Sequence, residues 1–126
     1  MIVGLDHSFL TIQDGGEDAA RRFYGEVLGL EEIQRPEGLR RSGGVWFQAG
    51  GQELHLGTDD AHLPPKPPHP GFRVGSSVEL DEVAERLNSN CYDVEWDERI
   101  ESRRRFYTRD PFGNRIELLA DLSADL

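Results

Sequence analysis

The 126-residue sequence lacks several features that would define its class. It has one cysteine, Cys91, so no intrachain disulfide can form and a reducing compartment is expected. No apolar run approaches the roughly 18–20 residues that cross a bilayer. No basic segment leading into an apolar stretch opens the chain, so no secretory signal is expected. These absences predict a cytoplasmic protein without a membrane span.

Positive charge is also scarce. Lys and Arg total 14 against 24 Asp and Glu, and the formal net charge is −10. This balance argues against nucleic acid or an anionic membrane surface as a partner, because both favour a cationic face. Arg103-Arg104-Arg105 is a local exception, and strand alternation would place Arg103 and Arg105 on one face. A solvated strand edge and an anion-binding role both remain open for it. For Cys91, between a helix and a strand, a buried and inert thiol is expected.

A repeated pair of potential metal ligands is the main positive feature. His7 is followed 48 residues later by His55, and His69 is followed 48 residues later by Glu117. The two pairs are offset by 62 residues, about half the chain. Repetition at a fixed period indicates duplicated structural units. Histidine and glutamate at equivalent positions suggest that each unit contributes two ligands to one shared site.

Hydrophobic periodicity and turn residues divide the chain at the same period. Unit one, about 1–57, is predicted to hold strands at 2–12, 30–35, 44–49 and 52–57 and a helix at 17–28. A proline-rich linker follows at 58–68. Unit two, about 69–121, is predicted to hold strands at 69–75, 92–96, 103–108 and 114–119 and a helix at 79–87. Ser77 is the expected N-cap, and the acidic tail is expected to fray.

The predicted fold class is therefore α+β, in a single domain over 1–126. Two tandem β-α-β-β-β units would form a concave, barrel-like mixed sheet with the helices outside. The first and last strands of each unit carry the ligand candidates. If those strands line the concave surface, the four side chains converge there.

The motifs resemble those of the vicinal oxygen chelate superfamily, which includes glyoxalase I, fosfomycin-resistance and bleomycin-resistance proteins and extradiol dioxygenases. Four motifs carry the resemblance: Leu5-Asp6-His7, the helix end from Phe23-Tyr24 to Leu28-Gly29-Leu30, the stretch from His69 to Val74, and Asp110-Pro111-Phe112-Gly113-Asn114-Arg115-Ile116-Glu117. It covers nearly the whole chain, from Leu5 to Ala120. Carried over, the family's metal ligands fall on His7, His55, His69 and Glu117.

The resemblance has one departure. Glyoxalase I-like proteins usually carry Glu or Gln where His55 stands, and Glu53 lies two residues earlier on the same strand face. The fourth ligand is therefore open between these two residues, although the repeat pairs His55 with Glu117. Glu117, by analogy with glyoxalase I, and Glu53 are the candidates for moving a proton.

The resemblance implies one divalent ion, and the ligand types suit Zn, Ni, Fe, Co or Mn. Such an ion would hold a small oxygen-bearing substrate and stabilise a metal-bound enolate or oxyanion. The leading hypothesis is a glyoxalase-like metalloenzyme of the lyase or isomerase type. A homodimer is expected, since many family members exchange units between chains. On the predicted strands, Trp46, Phe72, Arg105 and Tyr107 are candidates to line the substrate pocket.

Two other functions remain. A non-haem iron dioxygenase needs two histidines and one carboxylate with open positions, which His7 or His55 with His69 and Glu117 would supply. A fourth ligand would then crowd the positions that oxygen and substrate need. A metal-independent, ligand-sequestering protein, as in the bleomycin-resistance group, needs no full ligand set.

Overall fold

The computed structural model describes residues 1–123 and 125–126 with their side chains and residue 124 by its backbone alone. The chain divides into two compact units, Met1–Pro64 and Pro65–Leu126. Unit one contains strands β1 (His7–Ile12), β2 (Glu31–Ile33), β3 (Gly44–Ala49) and β4 (Gln52–Thr58). Its helix α1 is α-helical over Glu17–Ala20 and π-helical over Arg21–Val27, and a 3-10 turn covers Glu37–Leu39.

Unit two repeats the plan. Its strands are β5 (Gly71–Arg73), β6 (Glu95–Trp96), β7 (Arg103–Arg109) and β8 (Arg115–Asp121), and helix α2 covers Ser77–Ser89. The tail expected to fray instead forms a 3-10 turn at Leu122–Asp125. Among the described residues, no helix has the length and apolar character to cross a membrane.

The two sheets have the same topology. Their strand orders are β1-β4-β3-β2 and β5-β8-β7-β6, with the first strand of each unit parallel to its last. His7 pairs with Glu53, and Gly71 pairs with Glu117. In both units, a residue of the first strand therefore pairs with the residue 46 positions later on the last strand. The structure therefore confirms the α+β class and the tandem β-α-β-β-β plan, and places the first and last strands of each unit side by side.

Helix α1 packs on one face of the first sheet. The Tyr24 ring of α1 meets the Phe47 ring of β3, with centroids 5.8 Å apart, and Phe47 pairs with Leu54 of β4. Leu54 is buried, so these side chains form the core beneath the helix. Strand alternation places Trp46 and His55 on the opposite face. The sequence prediction of a core face and a polar face on β4 is confirmed.

Turn chemistry defines both hairpins. Gly50, between β3 and β4, has φ +61, where glycine avoids the steric cost of a Cβ. Between β7 and β8, the buried Asp110 carboxylate accepts hydrogen bonds from the backbone N–H groups of Phe112 and Asn114, at 2.9 and 2.8 Å. Gly113 closes this turn at φ +81. Both turns lie where the sequence predicts them.

The first strand of each unit begins later than predicted, so β5 excludes His69. The register that pairs Gly71 with Glu117 would place His69 opposite Arg115, the first residue of β8. His69 is also flanked by Pro68 and Pro70, which have no N–H to donate to a ladder. His69 therefore lies in the segment leading into β5.

Cys91 also differs from the expectation. It is exposed and has φ +67, an uncommon conformation for a residue other than glycine. Its backbone N–H donates to the Asn88 carbonyl at 3.1 Å, so it turns the chain away from the end of α2. The thiol is consequently outside the core.

The N-cap of α2 is Ser76, one residue before the predicted Ser77. The Ser76 hydroxyl accepts from the Glu79 N–H at 3.2 Å, whereas the Ser77 hydroxyl donates to the Asp125 carboxylate. That hydrogen bond is the first cause of the lowered pKa of Asp125. The register of the cap explains the difference, because a serine cap oxygen reaches the N–H two or three residues later.

Replacing Ser76 by alanine is expected to lower the free energy of unfolding by about 1 kcal/mol, because the first turn of α2 loses its side-chain acceptor. Ser77→Ala is the matched control, and its loss should be smaller because its partner is exposed. Urea denaturation of both variants measures the difference. A larger loss for Ser77→Ala would contradict the cap assignment.

Candidate metal and catalytic site

Unit two brings its predicted pair of ligands into contact. The distance from His69 Nε2 to Glu117 Oε1 is 3.0 Å. Glu117 lies on β8 between Ile116 and Leu118, and alternation turns it to the opposite face from both. Its carboxylate is nevertheless buried, with the residue 6% exposed. A buried carboxylate has to be compensated by partners, and His69 is one of them.

The orientation of the His69 ring is set by a backbone group. His69 Nδ1 lies 2.8 Å from the Pro67 carbonyl oxygen, and a carbonyl can only accept, so Nδ1 carries a hydrogen. Nε2 then faces the Glu117 oxygen, which is also an acceptor. A shared proton or a metal ion must lie between these two acceptor atoms. Metal-binding histidines have this same arrangement, with the second ring nitrogen bound to a carbonyl or carboxylate.

Arg105 holds the other side of the Glu117 carboxylate. Its Nη1 lies 3.5 Å from Glu117 Oε1 and donates to the Tyr107 hydroxyl at 2.9 Å, and its Nη2 lies 3.2 Å from Asp97 Oδ2. The side chains of Arg105 and Asp97 are each 11% exposed. Arg99 also donates to Asp97 and holds the pKa of that carboxyl well below its usual range. The Arg105 charge is therefore shared by two carboxylates.

Unit one brings His7, His55 and Trp46 into one stack. The His55 ring lies 4.1 Å from the His7 ring and 3.4 Å from the Trp46 ring, centroid to centroid, and is near parallel to both. His55 is 6% exposed. Its Nε2 lies 2.9 Å from Glu53 Oε1, so the two residues left open as ligands share a hydrogen bond. Glu53 is the more exposed of the two.

His7 has a partner of its own. Its Nδ1 lies 2.9 Å from Asp6 Oδ2, and since an ionised carboxylate only accepts, Nδ1 is the donor. The unshared pair of the His7 ring is then on Nε2. His7 and His69, which the repeat treats as equivalent, thus both direct Nδ1 toward an oxygen acceptor and keep Nε2 for another contact.

The two pair spacings are those of ordinary hydrogen bonds, and the His69–Glu117 and His55–Glu53 contacts are 3.0 and 2.9 Å long. Two ligand atoms about 2.1 Å from one ion, at right angles, also lie roughly 3 Å apart, so the same spacing suits a bound metal. Among residues 1–123 and 125–126, no three His, Cys, Asp or Glu side chains group closely enough to hold an ion. Each unit therefore supplies paired donors of suitable chemistry rather than a complete ligand set.

The four predicted pocket residues have different surroundings. Trp46 stacks on His55, Phe72 is half-buried on β5, and Arg105 is engaged by carboxylates. Only Tyr107 lines the cavity of about 300 Å³ found in unit two. The other lining residues are Cys91, Tyr92, Asp93, Glu95, Thr108, Arg109 and Arg115.

Sequence reasoning missed two residues that contact the predicted pocket residues Arg105 and Tyr107. Asp97 follows β6 directly, and its N–H bonds to the Arg105 carbonyl at 3.1 Å, which continues the β6–β7 register. Arg115 lies two residues before Glu117, and its guanidinium carbon is 3.7 Å from the centroid of the Tyr107 ring. Strand alternation on β8 was a signal for Arg115, whereas no local pattern marked Asp97.

Comparison with known proteins agrees with the tandem β-α-β-β-β fold. The family model of the Glyoxalase/Bleomycin resistance protein/Dioxygenase superfamily matches residues 4–118. A crystal structure of a glyoxalase family protein from Bacillus anthracis is 41% identical, with a TM-score of 0.89, over 96% of this chain and 97% of that one. A search of the curated proteins finds no match.

Two solved structures with named activities are also similar. Lactoylglutathione lyase from Agrobacterium tumefaciens is 26% identical, with a TM-score of 0.71, over 93% of this chain and 92% of that one. A point mutant of the fosfomycin resistance protein FosX from Listeria monocytogenes, complexed with Mn(II) and 1S,2S-dihydroxypropylphosphonic acid, is 25% identical, with a TM-score of 0.80. That match covers 100% of this chain and 98% of the other.

Proposed function

Because this chain belongs to the Glyoxalase/Bleomycin resistance protein/Dioxygenase superfamily, we propose that it is a metal-dependent enzyme of the glyoxalase type. In this proposal it acts as a lyase or isomerase on a small oxygen-bearing substrate. The family membership supports the class of chemistry. The solved relatives that support a more specific activity are a lactoylglutathione lyase and a fosfomycin resistance protein.

One observation carries the proposal: the contact between His69 and the buried carboxylate of Glu117 at 3.0 Å. The Pro67 carbonyl fixes the ring so that Nε2 faces this oxygen. Two acceptor atoms at this distance require either a shared proton or a metal ion between them. A shared proton would make the contact a structural hydrogen bond, but these two residues are also the ones that the repeat predicts as metal ligands.

The proposed ligand set is His69 and Glu117 with His7 and His55, from the same chain or from a second copy in a homodimer. A divalent ion held by these residues would polarise a carbonyl or stabilise an oxyanion on the substrate. Zn, Ni, Fe, Co and Mn all suit imidazole and carboxylate ligands. The complex of FosX with Mn(II) supports a divalent ion in a protein of this fold.

The chain's own residues supply the remaining steps. Arg105, held by Asp97, places a positive charge 3.5 Å from the Glu117 carboxylate and fixes its direction. Glu53 is more exposed than Glu117 and accepts a hydrogen bond from His55, so it is the group that can reach a substrate C–H or O–H and move its proton. His55, stacked between two rings, fixes the position of Glu53.

The test of this proposal is activity after removal and return of metal. Protein stripped with EDTA is reconstituted in parallel with Zn, Ni, Fe(II), Co and Mn, and assayed on fosfomycin and on the glutathione hemithioacetal that isomerises to lactoylglutathione. We expect turnover of at least one substrate with at least one ion and none in stripped protein. Equal turnover by stripped and reconstituted protein would contradict metal dependence, and failure to bind any ion would contradict the ligand set.

A ligand-sequestering protein is the second candidate. The observation that favours it is the cavity of about 300 Å³ in unit two, whose lining residues include none of the four predicted metal ligands. Such a protein would hold its ligand unchanged and without metal, so retained binding in EDTA with no turnover would favour it. No contact described above favours the dioxygenase alternative over these two.

A further inference from the structure

The cavity of unit two is lined by two arginines and by Tyr107, whose ring contacts His69. Arg109 of β7 pairs directly with Arg115 of β8, and both line this cavity of about 300 Å³. Directly opposed like charges destabilise a strand pair, and the chain as a whole is strongly acidic. Two guanidinium groups therefore lie side by side at one cavity, which Asp93 and Glu95 also line.

Arg115 is the arginine that has donors to spare. Its guanidinium lies over the Tyr107 ring, with the guanidinium carbon 3.7 Å from the centroid. Among the side chains that the structure describes, no carboxylate lies within salt-bridge distance of it. Stacking uses the face of a guanidinium and leaves the N–H groups at its edge free for a planar, two-oxygen partner. Arg105 on the neighbouring strand differs, because its N–H groups already meet Asp97 and Glu117.

The other groups at the cavity limit the charge of the ligand. Arg109 donates one hydrogen bond to the Gly113 carbonyl at 2.9 Å, so part of its guanidinium is engaged. Asp93 and Glu95 also line the cavity and are exposed. Their charges oppose a ligand with a second negative charge. A singly charged, planar oxyanion fits this combination better than a tetrahedral dianion.

Tyr107 connects this cavity to the ligand pair. The Tyr107 ring contacts the His69 ring edge-on, with centroids 5.1 Å apart, and carries Arg115 on its face. A molecule held by Arg115 is therefore one aromatic ring away from His69. The anionic end of a small substrate would lie at Arg115 and its reacting atoms near His69 and Glu117.

We propose that Arg115 binds the carboxylate of a singly charged organic acid in this cavity, with Tyr107 supporting the guanidinium. The part of this inference that concerns catalysis rests on the proposed function: the substrate would be a small molecule that carries a carboxylate besides its reacting oxygen. The binding itself requires no metal.

The experiment compares benzoate with benzamide, which has the same shape and no charge. Binding to metal-free protein in EDTA is followed by NMR titration for wild type, Arg115→Gln and Arg115→Lys. Arg41→Gln is the matched control, since Arg41 is an exposed residue of unit one and does not line the cavity. We expect Arg115→Gln to weaken benzoate binding at least about tenfold, as for loss of a charge-assisted hydrogen bond, with benzamide unchanged and Arg115→Lys intermediate.

Several results would overturn the inference. These are the absence of benzoate binding to wild type, an equal loss in Arg41→Gln, or equal binding of benzamide and benzoate. Tighter binding of inorganic phosphate than benzoate would overturn the preference for a planar monoanion. The same titration with metal-loaded protein separates this inference from the proposed function. If the protein fails to bind metal, the proposed function is contradicted, whereas benzoate binding to metal-free protein still supports this inference. Circular dichroism checks that each variant is folded.

Discussion

Replacing His69 by alanine is expected to lower the affinity for a divalent metal at least about 100-fold. Loss of a residue that only orients a metal ligand already costs up to about 100-fold in affinity, and His69 is proposed to be a ligand itself. His69 places Nε2 3.0 Å from Glu117 and is fixed by the Pro67 carbonyl. The variant loses a proposed metal ligand and also one of the groups that compensate the buried Glu117 carboxylate. Competition with a fluorescent chelator measures the affinity, and elemental analysis of the purified protein measures the metal content.

His62→Ala is the matched control for this prediction. His62 is a buried histidine of unit one that contacts the Thr11 hydroxyl at 2.7 Å, and neither the repeat nor the family resemblance assigns it to the site. It should keep the wild-type metal affinity while losing a side chain of the same size. Full metal content in folded His69→Ala would mean that His69 and Glu117 form a structural ion pair.

Exchanging Glu53 for glutamine is expected to lower turnover by roughly 10²–10⁴-fold while metal affinity stays near that of wild type. Glutamine keeps the size and the hydrogen bond to His55 but cannot take a proton. His55→Ala should instead weaken metal binding strongly. The reason for this assignment is the shared register of the units, in which His55, and not Glu53, stands at the position of Glu117 in the 62-residue repeat.

The two variants have to be compared side by side on folded protein. His55 is buried between the rings of His7 and Trp46, so His55→Gln, which leaves less of a void, is measured as well. Reversed results, with metal lost in Glu53→Gln and kept in both His55 variants, would make Glu53 the ligand. The site would then be closer to the His/Glu/His/Glu set of glyoxalase I.

The repeat in the sequence was enough to predict the architecture. The 62-residue offset between His7 and His69 corresponds in the structure to two sheets with the same strand order and the same register. Turn residues predicted both hairpins, since Gly50 and Asp110–Gly113 use conformations and hydrogen bonds that depend only on neighbouring residues. Strand alternation likewise predicted that Glu53 and His55 share a face. These are all local or periodic properties, which a sequence displays directly.

Other features depended on where separate segments meet. The sequence suggested Arg105 as an anion-binding residue, but Asp97, brought opposite it after β6, and Glu117 on β8 already engage its charge. Arg115, which the sequence did not single out, stacks on Tyr107 and has no carboxylate partner among the described side chains. Which arginine has a carboxylate partner is decided by strand register and side-chain direction, and neither is encoded in local spacing.

The sequence by itself therefore determined the repeated units, their turns and the residue types of the candidate site. Only the tertiary structure decided which of these side chains are paired, which are buried and which nitrogen of each histidine faces a partner. The physical reason is that periodicity and turn preference act between neighbours in the chain. Ion pairs, ring stacking and burial instead act over a few ångströms between residues that are distant in sequence, such as His69 and Glu117.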